Sequence, residues 1–207
     1  MLPMSKKELH SVILIPGLGD DSKVSELAMK SATHHWKDFG LHVVVHAVFW
    51  RNNEAFEPKL LRVLALIDDL ASAGTVSLVG VSAGASMAFN AFHERKNSVH
   101  RAVNVCGRLR TGKHRLRSLE RMAATSIAFK QSVHAFERNE GTLRADERSR
   151  LMTIRPFFGD ELVPHDTAYL AGAQNRWIYT AEHGLSILLS LRLPGSIVSF
   201  LTEQQRH

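Results

Sequence analysis

A chain of 207 residues is long enough for one domain with room for an insertion, and 44% apolar with 22% charged residues excludes disordered and fibrous classes. Twenty-six Lys and Arg against twenty Asp and Glu leave a net charge of +6, which suits an anionic partner such as nucleic acid, a membrane surface or an acidic substrate. The single cysteine, Cys106, rules out an internal disulfide.

The N-terminal MLPMSKKELHSV has no apolar core before a small-residue cleavage site and reads as no signal peptide. The most apolar stretch, Leu185 to Leu201, is shorter than the ~20 residues of a membrane span and is interrupted by Arg192, Pro194 and Gly195. A cytoplasmic protein without a membrane span is the expectation.

Short apolar, β-branched runs alternate with longer helical stretches. The first strand is predicted at Val12–Ile15, followed by a helix over Lys23–Phe39 and a strand over Leu41–Phe49. A helix at Pro58–Ser72 follows, with an apolar face from Leu60 to Leu70 at helical spacing. Next come a strand at Val76–Val79, a helix at Ala83–Lys96 and a strand at Ala102–Val105. After these lie a long helix at Arg117–Arg138 and a shorter one near Thr142–Arg150. The chain closes with strands at Met152–Phe158 and Trp177–Thr180 and helices at Pro164–Gly172 and Leu185–Gln205. Strand and helix in alternation imply right-handed crossovers and an α/β, doubly wound parallel sheet with helices on both faces. The whole chain, 1–207, reads as a single domain.

The basic excess has one address. From Gly107 to Arg150 there are eleven basic and five acidic residues, a net of +6, and the rest of the chain is neutral. The run from Arg108 to Arg117 is dense enough to consider nucleic acid, but it lacks interleaved aromatics and any helix-turn-helix or finger pattern. A solvated surface is the simpler reading, and an anionic substrate or phospholipid surface comes next.

In an open α/β sheet, ligands bind beyond the carboxyl ends of the strands, so the residues after each strand matter most. After Val76–Val79 comes Gly80-Val81-Ser82-Ala83-Gly84 and then a helical run. G-x-S-x-G between strand and helix is a sharp turn that lifts a serine hydroxyl out of the sheet. The bland alternative is a structural Gly/Ser turn that tightens a crossover. A nucleophilic serine also needs a base, and the base needs a carboxylate to fix its tautomer. Asp160 follows the strand at Met152–Phe158, and His183 follows the one at Trp177–Thr180. Both fall at the edge where Ser82 sits. Asp166 is a poorer acid because it lies inside the next helix, and Cys106-Gly107-Arg108 after Ala102–Val105 offers no carboxylate.

The loop Pro16-Gly17-Leu18-Gly19 after the first strand can supply a backbone amide to an oxyanion; Leu18 N–H is the candidate, with Ala83 N–H as the second donor. A nucleotide loop fails in detail. Ser22 stands where G-x-G-x-x-G needs its third glycine, Lys23 lacks the flanking P-loop residues, and Asp20 and Asp21 would repel a pyrophosphate. No histidine pair has H-E-x-x-H spacing, so no metal and no cofactor are expected. Gly17, Trp50 at the end of its strand, and Cys106 are the candidate pocket residues. Burial as a small apolar residue is the simpler reading of Cys106, and a place in the core or at the rim the simpler one for Trp50.

These motifs together resemble the α/β-hydrolase superfamily: Pro16-Gly17-Leu18-Gly19, Gly80-Val81-Ser82-Ala83-Gly84, Asp160-Glu161-Leu162-Val163-Pro164 and His183-Gly184, in that order. The resemblance covers nearly the whole chain. It implies a six-stranded parallel sheet in the order 2-1-3-4-5-6, starting near the third strand of the larger family sheet. It also implies a helical cap-like insertion at 108–150, where the family's lid usually enters. Pro16 stands where family members usually carry His. The implied activity is hydrolysis of a small carboxylic ester, thioester or amide through an acyl-enzyme on Ser82, with a Ser82–His183–Asp160 triad and no nucleic-acid partner. The alternative is a non-enzymatic ligand receptor or binding scaffold on the same fold.

Overall fold

The apolar runs form strands, the last only in part because it starts at Gln174 and ends at Ile178 where Trp177–Thr180 was expected, and the helices between them return the chain to one edge. The computed structural model describes residues 9–193 and 195–203. Its strands are β1 (Leu9–Ile15), β2 (Leu41–Val45), β3 (Gly74–Val81), β4 (Val99–Val105), β5 (Leu151–Pro156) and β6 (Gln174–Ile178). All neighbours pair in parallel, in the order β2-β1-β3-β4-β5-β6, which is the order expected. The register aligns Ile15 with Gly80, Val81 with Val105 and Pro156 with Ile178. The carboxyl ends of β1, β3, β4, β5 and β6 therefore open onto a common edge.

The helices are α1 (Lys23–Ala32), α2 (Phe56–Ala71), α3 (Gly84–Glu94), α4 (Leu119–Met122), α5 (Ile127–Asn139), α6 (Ala145–Ser149), α7 (His165–Ala168), α8 (His183–Arg192) and α9 (Ser196–Thr202). Strand side chains alternate between two apolar clusters. Ile13, Ile15, Val76 and Leu78 meet α2, α3 and α5 on one face. Val12, Leu14, Val79 and Val81 meet the end of α1, Trp36, α8 and α9 on the other. With both faces covered, Val12, Ile13, Leu14 and Ile15 are all fully buried, which is why the strand reads as a continuous apolar run rather than an alternating one.

Several expected elements are shorter, each for a local reason. The strand expected to reach Phe49 stops at Val45, because the peptide groups of Val48, Phe49 and Trp50 are taken by side chains instead of a ladder. The helix expected to Phe39 ends at Ala32, and a 3-10 segment at His34–Phe39 closes on Gly40 in the left-handed region (φ 79°). The long helix 117–138 is two helices. Ser126 caps α5 by accepting from Phe129 N while its hydroxyl donates to Trp50 O. The final helix divides into α8 and α9. Its expected end at Gln205, like the first eight of the N-terminal residues read for a signal peptide, lies outside the described residues. The helix expected over 164–172 is limited to α7.

Much of the segment expected as a cap, 108–150, is core. α5 packs on α2 and α3 and contributes Phe129, Val133 and Phe136 to the cluster on that sheet face. Phe136 meets Phe89 edge to face, with ring centroids 5.4 Å apart. Between the helices, Ser86 and Ser132 share a hydrogen bond of 2.6 Å, and Asn90 Nδ2 donates to Ser86 O and Ser132 O at 2.8 Å each. A buried polar network with each member partnered favours one relative placement of the two helices.

Candidate active site

The site begins with backbone that only small residues allow. Ser82 sits at φ 53°, in the left-handed region, which costs a non-glycine residue conformational energy and concentrates at functional turns. Gly80 and Gly84 make the turn fit. A Cβ on Gly80 would stand 2.3 Å from Gly84 O, and one on Gly84 would stand 2.0 Å from Ile15 O. The turn is also tied to β4, since Ser82 N donates to Val105 O at 2.9 Å. Cys106 (φ 55°) then turns the chain so that Gly107 passes below the serine. A Cβ there would meet Ser82 O at 2.3 Å. Asn104, buried in β4, fixes this second turn by accepting from Gly107 N at 2.7 Å.

Ser82, His183 and Asp160, on three different strand ends, form one hydrogen-bonded line. Ser82 Oγ lies 3.0 Å from His183 Nε2, and His183 Nδ1 lies 2.8 Å from Asp160 Oδ2. The other carboxylate oxygen, Oδ1, accepts from Leu162 N and Val163 N at 2.8 Å each. Asp160 therefore presents an acceptor to the imidazole. That places the proton on Nδ1 and turns the Nε2 lone pair toward the Ser82 hydroxyl. His183 and Asp160 are buried (6% and 4% exposed), whereas Ser82 is half-buried.

Three further groups hold this line, none of them singled out by sequence. Glu161, beside the acid, accepts from His183 N at 3.0 and 3.2 Å, so one turn grips the histidine by both side chain and main chain. Glu182 caps α8 by accepting from Gly184 N and Leu185 N, and those amides hold its carboxyl below the ordinary range. Arg117 Nη1 donates to Asp160 O at 2.6 Å. The signal for the first two was visible as carboxylates flanking Asp160 and His183, but their donors are main-chain groups and leave no trace in sequence.

Of the candidate pocket residues, Gly17 lies against the serine: a Cβ on it would stand 2.9 Å from Ser82 Cβ and 3.3 Å from Oγ. Among the described residues, neither Leu18 N nor Ala83 N donates to a protein acceptor. Trp50 and Cys106 are corrections. Trp50 is 0% exposed, packs edge to face on Phe129, and donates its indole N–H to Pro16 O at 3.0 Å, so it supports the loop from behind instead of lining an opening. Cys106 is 1% exposed within the apolar cluster of Val105 and Ile154, and burial together with Asp160 and Glu161 pushes its thiol pKa up. Among the described residues, no group of three or more His, Cys, Asp or Glu side chains is gathered as a metal site requires.

The basic segment is partly turned inward. Arg108, fully buried, donates to the carbonyls of Arg110, Arg117 and Thr111. Arg148 donates to Leu143 O, Ala171 O and Glu140 O. Arg150 donates to Lys96 O and Val99 O while lying over the Phe92 ring. Arg110 pairs with Glu140 and reaches Asp166 O and Tyr169 O.

Solved structures share this arrangement of strands across most of the chain. A carboxylesterase of Nitrososphaera gargenis superposes with TM-score 0.62 at 12% identity, covering 86% of this chain and 84% of that one. The α/β-hydrolase fold is the fold of this chain. Within it, a monoacylglycerol lipase of Paleococcus ferrophilus matches with TM-score 0.59 at 13% identity, covering 92% and 93%. A meta-cleavage product hydrolase of Pseudomonas fluorescens matches with TM-score 0.60 at 15% identity, covering 93% and 90%. No protein-family model and no curated sequence matches the chain. Among the described residues no single helix is long and apolar enough to cross a membrane.

Proposed function

We propose that the protein is a serine hydrolase that cleaves a small carboxylic ester through an acyl-enzyme on Ser82. The observation that carries this reading is the line from Ser82 Oγ through His183 to Asp160, with contacts of 3.0 and 2.8 Å, at the strand-end edge of an α/β-hydrolase fold. As Oγ attacks the ester carbonyl carbon, His183 Nε2 takes the serine proton. The Leu18 and Ala83 amides receive the oxyanion. Collapse of the adduct breaks the bond to the alcohol, which leaves with the proton from Nε2. A water then gives its proton to Nε2, attacks the acyl carbon and releases the acid, restoring Ser82. Asp160 keeps the imidazole in the productive tautomer and stabilises the imidazolium. General-base help is worth ~10²–10⁴ in rate, and each oxyanion donor ~10²–10³.

The nature of the solved relatives supports ester chemistry, since a carboxylesterase and a monoacylglycerol lipase share the fold. Fold does not set the bond cleaved. A series of nitrophenyl esters of increasing acyl length, run on the parent chain and on Ser82→Ala, tests both parts. Turnover of short esters that disappears in Ser82→Ala supports the reading. Equal turnover by the two proteins contradicts it, and folded parent protein inert to every ester favours a ligand-binding scaffold.

A further inference from the structure

The oxyanion loop is held at both ends by charged and polar groups that the hydrolytic steps do not use. Its first residue, Pro16, accepts at its carbonyl from the Trp50 indole at 3.0 Å. Its far end, Asp20, is 6% exposed. The Asp20 carboxylate accepts from three successive amides, Val48 N at 2.6 Å, Phe49 N at 2.7 Å and Trp50 N at 3.2 Å. The same segment is gripped from its carbonyl side by Lys59, whose side chain is wholly buried. Lys59 Nζ donates to Val48 O at 2.9 Å, Phe49 O at 2.7 Å and Asn52 Oδ1 at 2.7 Å. Phe49 is held at φ 56°, a conformation these bonds impose on a side-chain-bearing residue.

Burying a carboxylate and an ammonium is costly, and such groups persist where their geometry is exacting. Here they splint residues 48–50 from both sides, and that splint is bolted to the loop at Pro16 and at Asp20. Between those bolts lies Gly17, so close to Ser82 that it has no room for a Cβ, and then Leu18. Oxyanion donors act only when held about 2.7–3.1 Å from the developing charge. Resting on the reading of Ser82 as a nucleophile, we infer that Asp20 and Trp50, with Lys59 behind them, are positioning residues that set the Leu18 amide of the oxyanion hole.

The test compares Asp20→Asn and Trp50→Phe with the parent chain and with Asp21→Asn, an exposed charge control. In Asp20→Asn the amide nitrogen replaces one carboxylate oxygen and faces amide donors with a donor. Trp50→Phe keeps an aromatic ring near Phe129 but removes the N–H together with the second ring of the indole. Each protein is titrated with a fluorophosphonate so that kcat is expressed per reactive Ser82, and the Ki of a trifluoromethyl ketone is measured. That inhibitor forms a bond from Oγ to its carbonyl carbon, sends the serine proton to His183 and places an oxyanion in the hole.

The inference predicts kcat per reactive site lower by about 10–100-fold in Asp20→Asn and a smaller loss in Trp50→Phe, with KM nearly unchanged. The ketone Ki should rise by the same factor as kcat/KM falls, and Asp21→Asn should match the parent. A residue that only keeps the fold would lower the titrated fraction and leave kcat per site and Ki unchanged, and that result overturns the inference. If Asp20→Asn does not fold, Trp50→Phe decides by the same criteria. A folded parent chain that neither reacts with the fluorophosphonate nor turns over ester overturns the functional reading and the inference with it. An active parent whose variants are equally active per site overturns the inference alone.

Discussion

At the strand-end edge, Ser82, His183 and Asp160 aim their polar atoms at one another. In the segment 108–150, Arg108, Arg110, Arg117, Arg148 and Arg150 aim theirs back at main-chain carbonyls. Both regions stand out in the sequence, one by motif and one by charge. Motif residues owe their meaning to each other, so their order along the chain carries information. An arginine's meaning depends on which carbonyl it reaches, and carbonyls have no identity in a sequence. A net charge therefore locates an unusual segment without saying whether that charge faces a ligand or the protein itself.

The largest effect that separates the two regions should come at the edge. Asp160→Asn keeps the size of the side chain but can place an NH₂ opposite Nδ1, which favours the wrong imidazole tautomer. We expect kcat for a nitrophenyl ester to fall about 10⁴-fold, with little change in the urea midpoint. A loss smaller than tenfold would place the acid elsewhere.

Next comes the claim that α5 is core. Phe136→Ala removes a fully buried ring packed on Phe89 and should cost about 3–5 kcal/mol in urea unfolding. A helix that merely lay over the site would lose far less. Arg108→Met, of similar length, leaves the carbonyls of Arg110, Thr111 and Arg117 without their donor. It should destabilise by about 2–4 kcal/mol. An unchanged midpoint would mean that water replaces the guanidinium at no cost and that the charge is free for another role.

The smallest expected effect concerns salt. With so many arginines committed to carbonyls and carboxylates, KM for an anionic ester should change less than about threefold between 50 and 500 mM NaCl. A steep rise in KM would return the basic segment to substrate binding.

The sheet order and the three residues of the edge were legible because strands in a parallel sheet are short apolar runs, and the residues just after them face one rim. The closeness of the loop Pro16–Gly19 to Ser82 was legible too, through Gly17, yet the groups that support the loop were not. Asp20 looked like a charge that would repel phosphate, whereas its carboxylate faces the amides of residues 48–50. Trp50 looked like a pocket wall because it follows an expected strand, but that strand stops at Val45 and the ring turns inward. Both supporting contacts went unseen for one reason. A side chain that satisfies main-chain groups some thirty residues away obeys no local periodicity. The split of the 117–138 helix is similar: Ser126 becomes a cap because Trp50 O lies within reach of its hydroxyl.

The central claim is that Ser82 is a nucleophile activated by His183, and a fluorophosphonate addresses it directly. Folded protein treated with such a probe and digested should yield one adduct, on the peptide carrying Ser82, with labelling abolished in Ser82→Ala and strongly slowed in Asp160→Asn. Folded protein with Ser82 unmodified after prolonged exposure, or with labelling that persists in Ser82→Ala, would contradict the account.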